Sequence, residues 1–282
     1  MRVLSYRTGG GDDAAAVRTD AGIFDAGALL GTEPVTARRL LSDDRLGELA
    51  EAAADAGADP IPADGLELLP PVPDPEKIVC IGLNYRSNAA EAGIDPQNSP
   101  AIFGKYRNAL VPSGAEVRLP ASSEKVDFEA EVAFVVGRRC AAVDPERGLD
   151  FVAGYTLLND LSARDLQFAT PQWMSGKVFD GSAPCGPELV TPDEAGPADA
   201  IEFELELNGE RMQSASTSDL IFGVAELVAQ LSALMTLEPG DVVATGTPAG
   251  VGSVREPRVW LKPGDEITIS SPTLGRLLTR IA

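Results

Sequence analysis

No histidine occurs anywhere in the 282 residues. That absence removes Ser-His-Asp and Cys-His catalysis, HExxH zinc sites and any imidazole general base. Basic residues are also scarce. Lys and Arg number 23 against 43 Asp and Glu, and the net charge of −20 opposes attraction to phosphate backbones, so no nucleic-acid partner is expected. The three cysteines, Cys80, Cys140 and Cys185, are widely separated and odd in number, which suits reduced core thiols rather than a disulfide framework. No stretch approaches 18 apolar residues, and the opening MRVLSYRTGGGDD lacks the apolar core of a signal peptide; the expectation is no membrane contact and a cytoplasmic address. A GxxxxGK[ST] phosphate loop is missing too. Ser122-x-x-Lys125 has a serine–lysine spacing, but it falls in a polar loop ahead of a strand and reads as a chance match. Carboxylates, lysine, backbone amides and a metal are what remain for chemistry.

Among the residues that are present, three acids carry the most information. Glu129 and Glu131 lie in VDFEAEVAFVVG, and residues i and i+2 of a strand share a face, which sets the two carboxylates roughly 6–7 Å apart along the strand. Their face continues with Ala133 and Val135, while Phe128, Val132, Phe134 and Val136 occupy the other. A strand apolar on both faces is buried, so acids entering it belong at a pocket mouth rather than on a solvated edge. Asp160 closes a second apolar run, Val152 to Leu158, and can add a third oxygen; the competing reading is a cap for a helix opening near Ser162. Oxygen ligands of this kind suit a hard divalent cation, Mg²⁺, Mn²⁺ or Ca²⁺.

The chain is long enough for one large domain or two unequal ones. Residues 1–72 read as a small N-terminal α+β unit, with strands at Val3–Tyr6 and Ile23–Asp25 and a helical segment from Thr36 to Ala56. The proline run from Pro70 to Pro75 makes a stiff connector to a larger unit, 73–282. There Lys77–Leu83 reads as a buried strand, and Ile201–Leu207 alternates with period two before the hairpin signal Asn208-Gly209. Ser218–Leu234 reads as a helix with Ile221, Val224, Val228 and Leu231 on one stripe, and Pro-Gly turns precede strands at Val242–Thr245 and Glu266–Ile269. The expected fold class is mixed α+β, mainly β.

Six segments in one order, Lys77–Tyr85, Asp127–Glu131, Gly154–Asp160, Ser162–Gln167, Gly176–Asp180 and Thr245–Gly252, together resemble the fumarylacetoacetate hydrolase superfamily in its small acylpyruvase-like branch. The resemblance implies a β-roll with flanking helices, a homodimer, and a small oxo-acid substrate. It makes Glu129, Glu131 and Asp160 the ligands of Mg²⁺ or Mn²⁺, with Ca²⁺ able to substitute in vitro, and Lys177 the active-site lysine. It assigns substrate contacts to Gln167, Thr247, Tyr85 and Arg164, although Arg164 equally suits a structural ion pair. Pocket walls are expected from loops such as Ala92–Ser99 and Phe168–Ser175, including Phe168 and Trp173.

The chain departs from the resemblance at Asn84–Glu91. Hydrolytic members commonly carry Asp-His where this chain has Ser87-Asn88, with the histidine and a glutamate, here Glu91, activating water. Asn88 can orient water but cannot take its proton near neutral pH. Lys105-Tyr106 also stands where Lys-Pro is frequent. The first expectation is divalent-metal-dependent hydrolysis of a C–C bond in an acylpyruvate, with Glu91 as base, Asn88 orienting water and Lys177 beside the metal. Decarboxylation, tautomerisation, isomerisation or cyclisation through an enolate is the alternative, and a non-catalytic oxo-acid or metal-binding protein the third.

Overall fold

The structure is a computed structural model and describes residues 1–282 except 56–57, 94 and 96–97. It is mixed α+β and mainly β, as expected. The main sheet runs, in spatial order, through Gly22–Asp25, Asp13–Thr19, Arg2–Arg7, Ala183–Val190, Val152–Asn159, Ala130–Val136, Val242–Ala244, Ile78–Gly82 and Ala101–Lys105. A second sheet orders Glu210–Ser216, Glu202–Leu207, Glu266–Ser271, Gly275–Ile281 and Glu116–Val117. No helix among the described residues is long and apolar enough to cross a membrane.

The two-faced apolar pattern of Phe128–Val136 is resolved by two cores. Phe128, Val132, Phe134 and Val136 join the cluster under the second sheet and the helix Val224–Leu234. Ala133 and Val135 join the opposite cluster with Ile78, Leu158, Leu189 and Val242. A strand covered on both faces has no solvated side on which to place a charge, so its acids emerge only at its end.

Residues 1–72, expected as a separate unit, share this second cluster through Val3, Val17, Leu40 and Leu49. Their strand Arg2–Arg7 pairs with Ala183–Val190 in the register Val3↔Leu189, which makes it part of the main sheet. A strand not anticipated, Asp13–Thr19, pairs with it along its length. The helical segment expected from Thr36 is two helices, Ala37–Ser42 and Leu46–Ala54, broken where Asp44 takes a left-handed φ of 54°; its expected last residue, Ala56, lies outside the described residues. The Asn208-Gly209 hairpin forms, with both residues at positive φ (54° and 81°) as a type I′ turn requires.

Leu189 is fully buried at the seam between the first strand and the rest. Leu189→Ala is expected to cost about 2–5 kcal/mol and to lower one cooperative transition for the whole chain. Two separated transitions in calorimetry would contradict a shared core.

Candidate metal centre and cavity

Two neighbouring strands end together here. Ala130–Val136 pairs antiparallel with Val152–Asn159, in the register Ala130↔Asn159 and Glu131↔Leu158. Beyond the paired residues the Asp160 amide donates to the Glu129 carbonyl at 2.9 Å, and the Asn159 side-chain oxygen accepts from the Glu129 amide at 3.1 Å. This end-to-end stitching brings one carboxylate oxygen from each of Glu129, Glu131 and Asp160 within 4.8 Å of one another, all three residues being buried.

A third strand, Val242–Ala244, lies against the same Ala130–Val136 strand and delivers the Gly-Thr-Pro loop to Glu131. Thr245 anchors the loop with its amide and hydroxyl on the Val132 carbonyl, and the Gly246 amide donates to Glu131 Oε2 at 2.8 Å. Gly246 has φ +104°, and a Cβ there would meet the Ile81 carbonyl oxygen at 2.9 Å, so no other residue fits this approach. Gln213 clamps the loop from the other side: its amide donates to Thr247 Oγ1 and to the Pro248 carbonyl, both at 2.9 Å, while its oxygen accepts from the Ala130 amide.

Cations surround two of the three acids. Lys177 Nζ sits 2.7 Å from both Glu129 Oε2 and Asp160 Oδ2 and 4.9 Å from the Phe103 ring centre. Lys105 Nζ lies 2.7 Å from Asp160 Oδ1 and donates to the Lys177 carbonyl. Arg164 reaches Glu129 Oε1 at 2.7 Å and Asp127 Oδ2 at 2.8 Å, and its remaining nitrogen donates to Gln167 Oε1. Burial opposes the Asp160 charge, but Lys105 and Lys177 outweigh it and hold its pKa down to about 2. Burial likewise opposes the Lys177 ammonium, and the Asp160 and Glu129 charges reverse that, raising its pKa.

Glu131 differs. Among the described residues no cation is in ion-pair contact with it, and the Gly246 amide donates to it. Burial first, then Asp160 and Glu129, push its carboxyl well above the ordinary range. A buried carboxylate flanked by two others and lacking its own counter-charge, with hard oxygen donors converging, fits a divalent cation. The buried triad could therefore hold such an ion.

The remaining expected residues separate into two groups. Asn88, Arg164, Gln167, Lys177 and Thr247 line a cavity of about 180 Å³ with the acidic triad. Asn88 donates to the Pro248 carbonyl at 3.3 Å. Gln167 closes the short helix Arg164–Gln167, which begins two residues later than the Ser162 start expected for it. Tyr85 and Glu91 are not among the described lining residues. Tyr85 is fully buried in the core with its ring edge-on to Phe203, centroids 6.1 Å apart. Glu91 is exposed on the helix Arg86–Ala92 and accepts from the Gly250 amide at 2.9 Å. Of the two expected wall loops, Phe168, Trp173 and Ala92 contribute; residues 94, 96 and 97 lie outside the described residues.

Three residues of the site carried no role in the sequence reading. Lys105 is itself buried at the end of the partly exposed edge strand Ala101–Lys105, and a lysine closing an apolar run such as Ala101–Gly104 is the signal that it faces buried charge. Asp127 accepts from Arg164 and from the Gly252 and Ser253 amides, tying the far end of the Gly-Thr-Pro loop to the acids. Gln213 had no sequence signal, because it faces inward through a bulge at Leu205/Glu206.

Residues 77–282 match the family model for the fumarylacetoacetate (FAA) hydrolase C-terminal domain. The chain is 34% identical over 286 residues to the mitochondrial oxaloacetate tautomerase of Xenopus laevis, covering 98% of this chain and 89% of that one. Among solved structures, the fumarylacetoacetate hydrolase of Exiguobacterium antarcticum is similar with a TM-score of 0.87 at 30% identity, covering 100% of this chain and 99% of that one. The 5-carboxymethyl-2-hydroxymuconate delta-isomerase of Mycobacterium smegmatis is similar with a TM-score of 0.78 at 30% identity, covering 100% of this chain and 98% of that one.

A carboxyl whose folded-state pKa is raised makes the native state bind more protons, so its contribution to stability falls as pH climbs through the unfolded value of 4.5. In chelator, Glu131→Gln is therefore expected to melt above the parent protein, by a margin that widens upward from pH 4.5. Losing an outer-shell partner costs about 10–100-fold in metal affinity, so this loss of a ligand should cost at least about 100-fold for Mg²⁺ or Mn²⁺ by calorimetry. Equal melting temperatures across the pH range would contradict a buried, uncompensated Glu131.

Proposed function

The chain belongs to the fumarylacetoacetate hydrolase superfamily, and from that membership we propose that it interconverts the keto and enol forms of a 2-oxo acid by moving a proton at C3. The observation that carries this reading is the set of titratable groups lining the cavity. Among the described residues these are Glu129, Glu131, Asp160, Arg164 and Lys177. None of the carboxylates is a free base for water: Glu129 and Asp160 are engaged by cations, and Glu131 stands at the cation position; Arg164 stays protonated, which leaves Lys177 as the one proton carrier. Glu91, the residue matched to the water-activating glutamate, is held outside by Gly250, and Asn88 takes the histidine's place. Keto–enol exchange requires charge stabilisation and one proton carrier, and no activated water.

Glu129, Glu131 and Asp160 would hold a divalent cation, Mg²⁺ or Mn²⁺ by their oxygen chemistry, which would supply positive charge to stabilise an enolate. The protein supplies the rest. The Thr247 oxygen accepts from Gln213, which leaves its hydroxyl hydrogen to donate into the cavity. The Gln167 oxygen is taken by Arg164, leaving its amide hydrogens for the same purpose. These two donors orient the carboxylate. In ketonisation Lys177 Nζ passes a proton to C3 and is reprotonated by the one the enol oxygen gives up; in the reverse direction it takes the C3 proton and returns one to that oxygen. Phe103 against the ammonium excludes water from that nitrogen. The tautomerase and isomerase names of the relatives support the reading, while the hydrolase name keeps hydrolysis as the second one.

Deuterium wash-in at C3 of a 2-oxo acid, followed by NMR with Mg²⁺ or Mn²⁺, is expected to be enzyme-dependent. Lys177→Met should slow it by about 10²–10⁴, the range for losing a general acid–base. In the same preparation an acylpyruvate should release pyruvate at least about tenfold more slowly than its C3 proton exchanges, since the general base for water is missing. Pyruvate release outrunning exchange would establish hydrolysis instead.

A further inference from the structure

The end of the cavity away from the acids is apolar and without a free cation, and from it we infer that the substrate's distal end is an alkyl or aryl group rather than a second carboxylate. The assignment rests on the reading that the acidic triad takes the 2-oxo acid head. Beyond Lys177 the wall is built of rings: Phe103 lies under the ammonium, and Trp173 meets Phe103 edge-on with centroids 5.9 Å apart. Leu83 adds a branched side chain, and Phe168 and Val254 stand at the mouth, 67% and 42% exposed, with no partner covering them in the single chain.

Two backbone features hold this wall in place. Gly82 closes the strand Ile78–Gly82, and a Cβ there would fall 2.3 Å from the Trp173 ring, so the glycine is what lets the indole approach the strand this closely. The next residue, Leu83, has φ +55°, a left-handed conformation that a branched, non-glycine residue adopts at a cost. Asn84 fixes that turn by donating to the Phe222 and Thr245 carbonyls and accepting from the Phe222 amide. Strain retained at a cavity wall, where glycine would relieve it, marks a position at which the side chain itself is used.

A distal carboxylate would find no counter-charge here. The lining cations among the described residues are Arg164 and Lys177, and each already bridges two carboxylates. Lys105 is buried behind Asp160. Burying an unpaired carboxylate against Trp173 and Leu83 is unfavourable, whereas an alkyl group of the same shape gains by leaving water. The net charge of −20 adds a long-range repulsion that a dianion feels more strongly.

Oxaloacetate and 4-methyl-2-oxopentanoate make the test, because the second replaces the distal carboxylate of the first with an isopropyl group of matching shape. Binding to the Mg²⁺-loaded protein is measured by calorimetry. The alkyl acid is expected to bind at least about tenfold more tightly, and Trp173→Ala and Leu83→Gly should each reduce that ratio. Leu83→Gly keeps the turn, since glycine adopts the same φ without strain. Equal or tighter binding of oxaloacetate would overturn the assignment, as would a preference unchanged in both variants. Deuterium wash-in on the same samples reports on the chemistry separately: a retained preference without exchange would refute the proton-transfer reading and leave the apolar end standing.

Discussion

The structure around the cavity depends on one electrostatic constraint: among the described residues four buried carboxylates, Asp127, Glu129, Glu131 and Asp160, face three buried cations, Lys105, Arg164 and Lys177. Charges removed from water are tolerated only when paired and hydrogen-bonded, and nearly every polar contact near the site serves that requirement. Arg164 spans Asp127 and Glu129, Lys177 spans Glu129 and Asp160, and Lys105 holds the far oxygen of Asp160. The acid left over is Glu131, and the imbalance of one carboxylate is where the triad could hold a cation.

The same network disciplines the loops. Asp127 binds the Gly252 and Ser253 amides, and Glu131 binds the Gly246 amide, so the Gly-Thr-Pro segment is tied at both ends to the acids it serves. Gln213 reaches from the second sheet to secure the middle. Cavity shape and charge compensation are one arrangement here, because the residues that neutralise the acids also set where the loop amides and hydroxyls point.

Much of this was legible in the sequence because it rests on local periodicity. Glu129 and Glu131 share a face by the two-residue repeat of a strand, and the apolar residues on both faces of Phe128–Val136 place them at a buried end. What was not legible depends on irregularity or on distant pairing. Asp44 at φ 54° splits a helical run that looks continuous by composition. The bulge at Leu205/Glu206 turns Gln213 inward against the simple alternation. The pairing Val3↔Leu189 joins residues 1–72 to the main sheet across nearly the whole chain, and no local pattern announces it. Tyr85 sits within a family-like motif yet points into the core against Phe203, since a motif fixes backbone placement more strongly than side-chain direction.

The strand Val242–Ala244 has a consequence for how the protein is made. It lies between Ala130–Val136 and Ile78–Gly82, pairing with the latter in parallel, Val242↔Ile78. Until that strand has left the ribosome, Ile78–Gly82 and Ala130–Val136 have no sheet neighbour in common. Glu131 then lacks its Gly246 partner, and the upstream acids remain in water, where their charges cost nothing. Such long-range pairing is slow to form, and chains emerge at roughly 5–20 residues per second. The nascent chain therefore carries Glu131 for many seconds before Gly246, its backbone partner, follows it.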